Sequence, residues 1–390
     1  MTTKKLLYII NHIDWFWSHR LPLAQGAQQD GWDVCVAVTG GAQNARLTEH
    51  HFTGLELPAS DRGFMPFRIL KIMWRIWTIL QQEKPDLVHA ITLKYAFLAG
   101  LPARFCKDIR IVFTIAGLGY LFSGEGLKPA VLRILVGPFL KLALKHPRAH
   151  IIFQNPDDMA LMIQRGFATR DNSTLILGSG VDLRHFPFAQ EPDHTTAPLV
   201  LMPTRLVRDK GLAVFVEAAK IVHTRGISAR FEIAGSLTHN NPLALTEQDM
   251  HTLLDNSPVI WLGKVDDMPE LLARCALVCY PSWYGEGIPK VLLEACATGR
   301  AIVTTDHAGC RETVTQGQNG LLVPVKDPYA TAEAMITLLQ NPALRRDMGK
   351  KSRARAERDF DVRLITRNTL DVYHTVLKER CAYSEGNTRS

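Results

Sequence analysis

Short apolar runs that alternate with helix-length segments constrain this sequence more than any other feature. Four early runs fit the pattern: KKLLYII at 4–10, WDVCVAV at 32–38, DLVHA at 86–90 and RIVFTI at 110–115. Strands that are apolar on both faces belong to parallel sheets covered by helices on both sides. The pattern therefore predicts a doubly wound α/β domain, in which the chain returns through a helix after each strand.

The same alternation restarts after the stretch FAQEPDHTTAP at 188–198. A chain of 390 residues is too long for one ordinary core, because compact domains commonly hold about 100–200 residues. We therefore predict two Rossmann-like domains, residues 1–188 and 198–360, and a C-terminal helix and tail over 361–390 that pack back on the first domain. Two such domains that face each other leave an interdomain cleft at the carboxyl ends of their sheets, where ligands bind.

The net charge of +7 comes from the first half of the chain. Residues 1–190 carry 21 Lys and Arg against 14 Asp and Glu, whereas residues 191–390 carry 24 of each. A basic half suits nucleic acid, an anionic membrane surface or a phosphorylated substrate. Basic clusters interleaved with stacking aromatic residues are missing, which argues against nucleic acid. A membrane surface and a phosphorylated ligand remain.

The cysteines and the N-terminus favour a protein of the reducing cytosol. Seven scattered cysteines, an odd number, do not fit a disulfide framework. Cys275 and Cys279 lie in the apolar run CALVCY, and we interpret both as core residues because no second pair stands at zinc spacing. The start MTTKKLLYIINHIDWF predicts a first strand rather than a signal peptide, and no stretch reaches the roughly 18 apolar residues that span a bilayer.

A basic turn follows the predicted strand LVLMPT at 199–204. Arg205 and Lys210 lie between this strand and the next helix, so both leave the carboxyl end of a strand beside the amino end of a helix. Two cations and a helix terminus can bind an anion, and a diphosphate fits. The alternative is a solvated basic turn, which these residues alone do not exclude.

Two carboxylates stand eight positions apart in YGEGIPKVLLEA at 284–295. Glu286 lies in the loop after the predicted strand ALVCYPS, and Pro289 suits the first turn of the helix that follows. Glu294 falls in the second turn among apolar neighbours, where a carboxylate needs a partner. A vicinal diol such as a ribose supplies two hydroxyl donors for such a carboxylate.

These residues resemble the motifs of retaining, nucleotide-sugar-dependent glycosyltransferases of family 4, whose GT-B fold has two facing Rossmann-like domains. Glu286 to Glu294 matches the E-x7-E motif, and Arg205 to Lys210 matches the R-x4-K motif. The resemblance also includes three segments: GSL at 235–237, LGKVDDMPELLARCALVCYPS at 262–282 and GCRETVTQGQNGLLV at 309–323. It covers essentially the whole chain and is strongest over the second half.

The resemblance implies a role for each matching residue. Arg205 and Lys210 would hold the donor diphosphate and neutralise charge on the leaving group. Glu286 would contact hydroxyls of the donor sugar, and Glu294 would bind the ribose. The remaining donor-binding positions that it implies are Gly235, Gly287, Ile288, Lys264 and Val265, the last two through backbone groups. Such enzymes use no cofactor and need no metal, because fixed cations replace it; we expect a UDP-sugar as the donor.

Metal-dependent glycosyltransferases use an Asp-x-Asp motif, and this chain contains one match at Asp359-Phe360-Asp361. It follows RARAERD at the end of a predicted helix. We therefore interpret it as a solvated junction and predict no metal site.

The acceptor side is less well defined by the sequence. His19 and Arg20 in WFWSHRLPLA follow the first strand and could enter the cleft, although loop and capping roles fit them equally well. Many family members place a histidine before a glycine after a central strand of the first domain. Here Ala116 precedes Gly117, so the departure weakens the assignment of Gly117 to the acceptor side.

Two apolar segments of the basic half carry cationic side chains at helical spacing. Residues 64–80, FMPFRILKIMWRIWTIL, include three basic side chains, and residues 127–148, LKPAVLRILVGPFLKLALKHPR, include several more. The basic positions are Arg68, Lys71 and Arg75 in the first segment and Arg133, Lys141 and Lys145 in the second. Helices that combine Trp, Leu and basic residues suit shallow seating on an anionic membrane. Their apolar faces can equally be the core of the first domain, and the sequence leaves both open.

Together the two segments favour an acceptor that carries a polyprenyl-diphosphate anchor. The pattern SHRLPLA with AGLGY resembles family members that extend undecaprenyl-diphosphate-linked saccharides, and is most similar to bacterial transferases that add α-linked N-acetylgalactosamine. We expect a hexosyl- or N-acetylhexosaminyltransferase of surface-polysaccharide or oligosaccharide biosynthesis, peripheral on the cytoplasmic face of the cell membrane. Two alternatives remain: the same fold acting on a soluble small molecule, and a catalytically silent nucleotide-sugar-binding protein.

Overall fold

The computed structural model describes residues 3–59, 66–106, 108–123, 126–193, 197–238 and 243–386. The chain divides into two compact units. The first unit comprises Met1–Ser179 and Arg363–Ser390, and the second comprises Gly180–Val362. Each unit contains one parallel sheet with helices packed on it, so the prediction of two Rossmann-like α/β domains is confirmed for each unit.

The sheet of the first unit has seven parallel strands in the order β3-β2-β1-β4-β5-β6-β7. These strands are β1 (Lys4–His12), β2 (Trp32–Thr39), β3 (Thr53–Leu57), β4 (Leu87–Ile91), β5 (Arg110–Ile115), β6 (Ala149–Phe153) and β7 (Ser173–Leu175). The central strands β4 and β5 are buried at every residue. This burial explains their continuous apolar sequences, since helices cover both faces of the sheet.

The helices of the first unit pack against the sheet in two layers. In chain order they are α1 (Ile13–His19), α2 (Leu21–Gln29), α3 (Ala45–Glu49), α4 (Pro66–Glu83), α5 (Leu93–Ala103), α6 (Gly119–Ser123), α7 (Leu127–Leu144) and α8 (Pro156–Gln164). Helices α4, α5 and α7 contribute to the core on one face, and α1 and α2 to the core on the other.

The sheet of the second unit has six parallel strands in the order β10-β9-β8-β11-β12-β13. These strands are β8 (Leu199–Pro203), β9 (Arg230–Ala234), β10 (Val259–Gly263), β11 (Leu277–Tyr280), β12 (Ala301–Thr305) and β13 (Gly320–Val323). Strands β8 and β11 are neighbours although far apart in sequence. The strand order reverses between them, and ligands of open α/β sheets bind at such a switch point.

The described part of the second unit contains six helices and three short turns, some between these strands and the rest after β13. The helices are α9 (Leu212–Thr224), α10 (Glu247–Leu254), α11 (Met268–Arg274), α12 (Lys290–Thr298), α13 (Pro328–Gln340) and α14 (Pro342–Arg355). The turns are two 3-10 turns at Arg208–Lys210 and Arg311–Thr313 and a π-helical turn at Ala356–Phe360. Polar side chains fix several helix starts, as where Thr246 and Asp249 form a capping box at α10.

The last helix, α15 (Val362–Gly386), packs on the first unit from Arg363 onwards. The buried hydroxyl of Tyr373 lies 2.6 Å from His89 Nδ1 and 3.2 Å from the hydroxyl of Tyr8, and His89 Nε2 lies 2.7 Å from Thr114 Oγ1. Burial holds the pKa of His89 well below its usual range, so the imidazole is neutral. This chain of hydrogen bonds joins α15 to three strands of the sheet.

The division between the units precedes the predicted linker at 188–198. The amide of Val181 donates to the carbonyl of Phe360 (2.9 Å), and the amide of Val362 donates to the carbonyl of Val181 (3.0 Å). Glu191 is buried and accepts a hydrogen bond from Arg345 Nε (2.9 Å). These contacts fasten residues 180–191 to the second unit, whereas residues 194–196 of the predicted linker lie outside the described residues.

Candidate active site

The junction after β8 and the junction after β11 are held together by backbone contacts. Gly211 has φ +86°, and a Cβ there would lie 2.1 Å from the carbonyl oxygen of Pro281, so the close approach requires glycine. The carbonyl of Asp209 accepts from the amide of Trp283 (3.0 Å) and from Ser282 Oγ (3.3 Å). The two sequence motifs that the chain places 76 positions apart therefore meet at one edge of the sheet.

Lys210 lies at the centre of this edge. Its side chain is buried, and Nζ forms a salt bridge with Glu286. The hydroxyl of Tyr280 donates to the same carboxylate oxygen (3.1 Å). Lys210 Nζ also lies 4.7 Å from the centroid of the Tyr284 ring and 5.5 Å from that of Tyr280. One carboxylate and two aromatic faces thus enclose the ammonium group.

Lys210, Arg205 and Glu286 place two positive charges and one negative charge at this edge of the sheet. Burial lowers the pKa of Lys210, the carboxylate of Glu286 opposes that change, and the positive charge of Arg205 reinforces it. Arg205 is therefore close enough to act on Lys210. Arg205 and Lys210 thus place two cationic side chains at one edge of the sheet, an arrangement that can bind an anion.

The loop that carries Glu286 is supported from the next junction along the sheet. A Cβ on Gly309, which has φ +87°, would lie 2.0 Å from the carbonyl oxygen of Gly287. The amide of Gly309 donates to Glu312 Oε2 (2.6 Å), and Ile288 is buried beside this contact region. Gly287 and Ile288 are therefore fixed between the β11 and β12 junctions, ahead of α12.

Glu294 lies on α12 and is 91% buried, as its relative exposure of 9% shows. Burial raises its pKa from the ordinary 4.5 to about 7, although Lys290 Nζ lies 3.8 Å away and opposes this shift. A carboxyl group with this pKa exists in both protonation states near neutral pH. It can accept hydrogen bonds from a diol when it is ionised.

The three other predicted donor-side residues lie at the ends of β9 and β10. The amide of Gly235 donates to the carbonyl of Gly263 (2.8 Å), and its carbonyl accepts from Trp261 Nε1 (2.8 Å). Lys264 pairs with Asp266 (2.7 Å) in an exposed ion pair, and Val265 is half-buried. Both backbone groups of Gly235 are thus hydrogen-bonded within the second unit. The side chain of Lys264 forms its ion pair with Asp266 at the exposed surface.

Two aromatic residues of the site were not identified from the sequence. Tyr280 ends β11 and binds Glu286, and Tyr284 covers Lys210. The sequence feature that could have indicated Tyr280 is its place at the end of an apolar strand, because a buried phenol needs a hydrogen-bond partner. Gly309 was also missed as a supporting residue, although it begins the quoted segment GCRETV.

The predicted acceptor-side residues lie in the first unit. His19 stacks on Trp15 with ring centroids 5.4 Å apart, and its Nδ1 lies 2.7 Å from Ser18 Oγ. Arg20 is buried, and burial lowers its pKa. Gly117 follows β5 with φ +100°. The structure places Arg20 within electrostatic reach of the buried α15 hydrogen-bond chain, a neighbourhood that the sequence did not predict.

The Asp-x-Asp match is less exposed than predicted. Asp359 forms ion pairs with Arg358 (2.7 Å) and Arg355 (3.8 Å). Asp361 is buried, because it forms a β-bridge with Val181. The expectation of a solvated junction was therefore wrong for Asp361. Within the described ranges of the chain, no three His, Cys, Asp or Glu side chains come together as a metal-ligand group.

Two protein-family models match the chain, one in each unit. The model described as glycosyl transferase 4-like matches residues 5–155, and the model described as glycosyl transferases group 1 matches residues 197–341. The second match contains Arg205, Lys210, Glu286 and Glu294.

Two curated relatives match this chain over almost their full length. The chain is 27% identical over 372 residues to the N,N'-diacetylbacillosaminyl-diphospho-undecaprenol alpha-1,3-N-acetylgalactosaminyltransferase of Campylobacter jejuni, which covers 92% of this chain and 95% of that protein. It is 25% identical to the capsular polysaccharide biosynthesis glycosyltransferase CapM of Staphylococcus aureus, over 93% of this chain and 96% of that protein.

Solved structures show the same fold at lower identity. Sucrose-phosphate synthase from Thermosynechococcus elongatus has a TM-score of 0.79 at 19% identity and covers 96% of this chain and 100% of its own. Anabaena Alr3699/HepE in complex with UDP-glucose has a TM-score of 0.70 at 20% identity and covers 95% of this chain and 99% of its own.

Proposed function

From the premise that this chain belongs to the glycosyltransferases, with a 4-like domain, a group 1 domain and the GT-B fold, we propose that it moves a sugar from a UDP-sugar to a saccharide carried on polyprenyl diphosphate. The product would serve surface-polysaccharide or oligosaccharide biosynthesis. The observation that carries the proposal is the ion pair of buried Lys210 with half-buried Glu286, at the switch point of the second sheet.

This edge suits the diphosphate of a nucleotide-sugar. A lysine ammonium has three N–H donors, and Glu286 uses one, so two can serve phosphate oxygens. Arg205 adds a second cation at the same place. The fold neighbour Alr3699/HepE, whose complex contains UDP-glucose, supports the choice of UDP. Glu294 would accept hydrogen bonds from the ribose diol, and Glu286 would face hydroxyls of the sugar.

The proposed transfer retains the anomeric configuration. The bond between the anomeric carbon and the diphosphate oxygen breaks, and its electron pair leaves with UDP. The acceptor hydroxyl oxygen forms the new bond on the same face, and its proton passes to the departing diphosphate. Lys210 and Arg205 stabilise the charge that grows on that leaving group, which is the role a metal ion takes in other transferases. We therefore propose a metal-independent reaction.

The acceptor is inferred from the relatives and from the first unit. The Campylobacter relative is named for an undecaprenyl-diphosphate-linked acceptor, and the Staphylococcus relative for capsular polysaccharide biosynthesis. The first half of the chain carries the whole excess of positive charge, which suits a diphosphate-linked lipid. We therefore place the enzyme peripherally at the cytoplasmic face of the cell membrane.

A donor and acceptor panel tests the proposal. The full chain is incubated with UDP- and GDP-linked hexoses and N-acetylhexosamines, each with a polyprenyl-diphosphate-linked saccharide or with a free small-molecule acceptor, and products are identified by mass spectrometry. We expect glycosylation of the lipid-linked acceptor by one UDP-sugar, in buffer with EDTA as well as without it. Product NMR gives the anomeric configuration.

Other outcomes of the panel would replace the proposal. Transfer to the free acceptor alone would indicate a soluble product. Binding of UDP-sugars without turnover on any acceptor would indicate a silent binding protein. Activity lost in EDTA and restored by Mn²⁺ would contradict metal independence, and an inverted product would contradict retention.

A further inference from the structure

Helix α4 exposes an apolar stripe that is separate from its core stripe. Its core-facing side chains, such as Ile72 and Ile76, are buried in the first unit. A second set of apolar side chains is exposed on the same helix: Phe67, Leu70, Trp74 and Trp77. Their spacing of three and four residues places them on one side of the helix. Packing in the domain core therefore explains only one of the two apolar stripes.

Basic side chains lie between these two stripes. At 100° per residue, Arg68, Lys71 and Arg75 fall on the arc of α4 that separates the exposed apolar side chains from the buried ones. Arg68 and Lys71 are exposed, and Arg75 Nε donates to the carbonyl of Glu56 (3.1 Å). A cationic border beside exposed Trp and Leu is the arrangement of helices that lie in a membrane interface.

Helix α7 has the same two-sided arrangement. Leu140 and Leu144 are buried in the core. The opposite side exposes Val131, Ile134, Leu135, Phe139 and Leu142, with Ile134 at 74% of its full area. Lys141 and Lys145 flank this stripe and are exposed. Two helices of one unit thus repeat a pattern that sequence alone could not separate from core packing.

The two stripes lie on helices of the same layer of the first unit, because α4 and α7 contribute to one core. Both helices also pack against α5. Between them α5 presents Phe97 and Leu101, both half-buried, and Phe105 just beyond its end is exposed. We call the exposed apolar side chains of α4 and α7 the outer helix face. The helices that form it contain no Asp or Glu except Glu83 at the last position of α4.

The described residues of the second unit form no comparable surface. Each of its described helices exposes at most one large apolar side chain, such as Tyr329 on α13 and Leu344 on α14. Scattered exposed apolar residues are ordinary, whereas a continuous patch indicates an interaction surface. In the described part of the chain, no helix is both long enough and apolar enough to cross a bilayer.

We propose that the outer helix face is the docking surface for an anionic lipid bilayer. The apolar side chains enter the interface, and Arg68, Lys71, Lys141 and Lys145 contact anionic headgroups. The charge selects this occupant, because an acid-free basic surface complements anionic lipid. A second copy of the chain is disfavoured, since a symmetric dimer through this face would place the basic borders of the two copies together.

This inference deepens the proposed function and rests on it, because the enzyme would dock on a membrane to reach a lipid-linked acceptor. The physical test needs neither donor nor acceptor. The full chain is mixed with vesicles of phosphatidylcholine containing phosphatidylglycerol and cardiolipin, or of phosphatidylcholine alone, and bound protein is separated by flotation. We expect binding to the anionic vesicles and at least tenfold weaker binding to the neutral ones.

Charge-insertion variants locate the surface. Leu70→Glu with Trp74→Glu on α4, and Ile134→Glu with Phe139→Glu on α7, should each weaken binding to anionic vesicles by at least tenfold. The matched control is Ile260→Glu, an equally exposed apolar residue of the second unit, which should bind as the unmodified chain does. Circular dichroism and thermal unfolding check that each variant is folded.

Three results would overturn the proposal. The chain could fail to float with anionic vesicles, or the α4 and α7 variants could float as well as the Ile260 control. Sedimentation without vesicles could show a dimer that these same variants dissociate, which would assign the face to a second copy. Lys71→Glu should weaken binding to anionic vesicles only; equal weakening on neutral vesicles would contradict headgroup contact.

Vesicle binding and sugar transfer, measured separately, distinguish failure of the docking surface from failure of the proposed function. If the chain binds anionic vesicles but transfers no sugar to any lipid-linked acceptor, the docking surface stands and the acceptor assignment falls. If it glycosylates a lipid-linked acceptor in detergent but ignores vesicles, the function stands and the docking surface falls.

Discussion

In the second unit ionisable side chains are buried at the carboxyl edge of the sheet, whereas in the first unit large apolar side chains are exposed on the helices. Lys210 and Glu294 are almost fully buried, while Trp74 and Ile134 expose 63% and 74% of their area. Both arrangements cost free energy, because buried charge and exposed apolar surface are each unfavourable. The two units have related topology, but these different costs indicate that they bind different kinds of ligand.

The difference follows from which layer of the fold carries the binding groups. In the second unit the groups stand on the loops between strands and helices, where neighbouring β8 and β11 bring distant motifs together. In the first unit they stand on the outer sides of α4 and α7, away from the sheet. Loops at a sheet edge suit a small polar ligand, and a broad helix surface suits a flat partner.

The largest expected effect tests whether the buried charge of the second unit has a role in transfer. Lys210→Ala should reduce turnover by about 100- to 1,000-fold, the range for removal of one preorganised electrostatic group. Its charge would act mainly on the leaving diphosphate, so the loss should fall on kcat. Steady-state release of UDP measures it.

Lys220→Ala is the matched control, because this half-buried lysine on α9 pairs with the exposed carboxylate of Glu217 (3.0 Å). It should keep normal turnover. Near-normal turnover of Lys210→Ala would show that the buried cation serves the fold rather than the reaction, and the contrast between the units would lose its functional meaning.

The second expected effect concerns the cost of burying Glu294. Its pKa is raised from 4.5 to about 7, so the folded state favours the protonated form. The stability that this provides is complete below pH 4.5 and is lost as pH rises through about 7. Between pH 5 and pH 8 the free energy of unfolding should therefore fall by about 2.5 kcal/mol through this group.

Glu294→Gln removes this titration, so urea unfolding at the two pH values should show a smaller fall for the variant than for the unmodified chain. Identical pH dependence in both proteins would contradict the raised pKa. Glu294→Ala should in addition weaken UDP binding measured by calorimetry, and unchanged affinity would contradict the ribose role.

The sequence predicted the second unit better than the first because its binding groups follow strands directly. An apolar run followed by Arg205 and Lys210 places both at a sheet edge, whatever the details of packing. The direct contact of Lys210 with Glu286 was not predictable, since it depends on Gly211 allowing the backbone to approach Pro281. The division between the units after Ser179 was not predictable from local patterns either, because the pair of Glu191 with Arg345 joins positions 154 apart.

The first unit shows where periodicity is insufficient. In α4 apolar residues occupy most of the helix circumference, so the sequence could not tell the stripe that faces the core from the stripe that faces solvent. Only the packing of α4 into the core of the first unit decides this, because it buries Ile72 and Ile76 and leaves Trp74 exposed. Likewise the partners of His89 include Tyr373, 284 positions away, which no local pattern indicates.

A third prediction asks whether buried polar groups in the first unit are structural rather than catalytic. Tyr373→Phe should lower the free energy of unfolding by about 2 kcal/mol, because it leaves buried polar atoms of His89 and Tyr8 without this partner. The surface variant Tyr329→Phe should change it by less than about 0.5 kcal/mol. Donor turnover that falls further than the loss of folded protein would instead link the α15 network to catalysis.

The smallest expected effect is that of Tyr280→Phe, which tests whether the orientation of the Glu286 carboxylate matters in addition to its charge. The hydroxyl of Tyr280 donates to one carboxylate oxygen of Glu286 (3.1 Å). Tyr280→Phe keeps the ring beside Lys210 and removes one hydrogen bond, which contributes about 1 kcal/mol. We expect kcat/KM to fall about fivefold with little change in stability.

The reason is that Tyr280 and Lys210 contact the same carboxylate oxygen of Glu286, so Tyr280 would help to keep the carboxylate in place while Lys210 also binds the diphosphate. Tyr284→Phe is the matched control, since it also covers Lys210 but makes its contact through the ring alone. Equal effects of the two variants would assign both tyrosines to packing, and the second unit would then orient Glu286 through Lys210 alone.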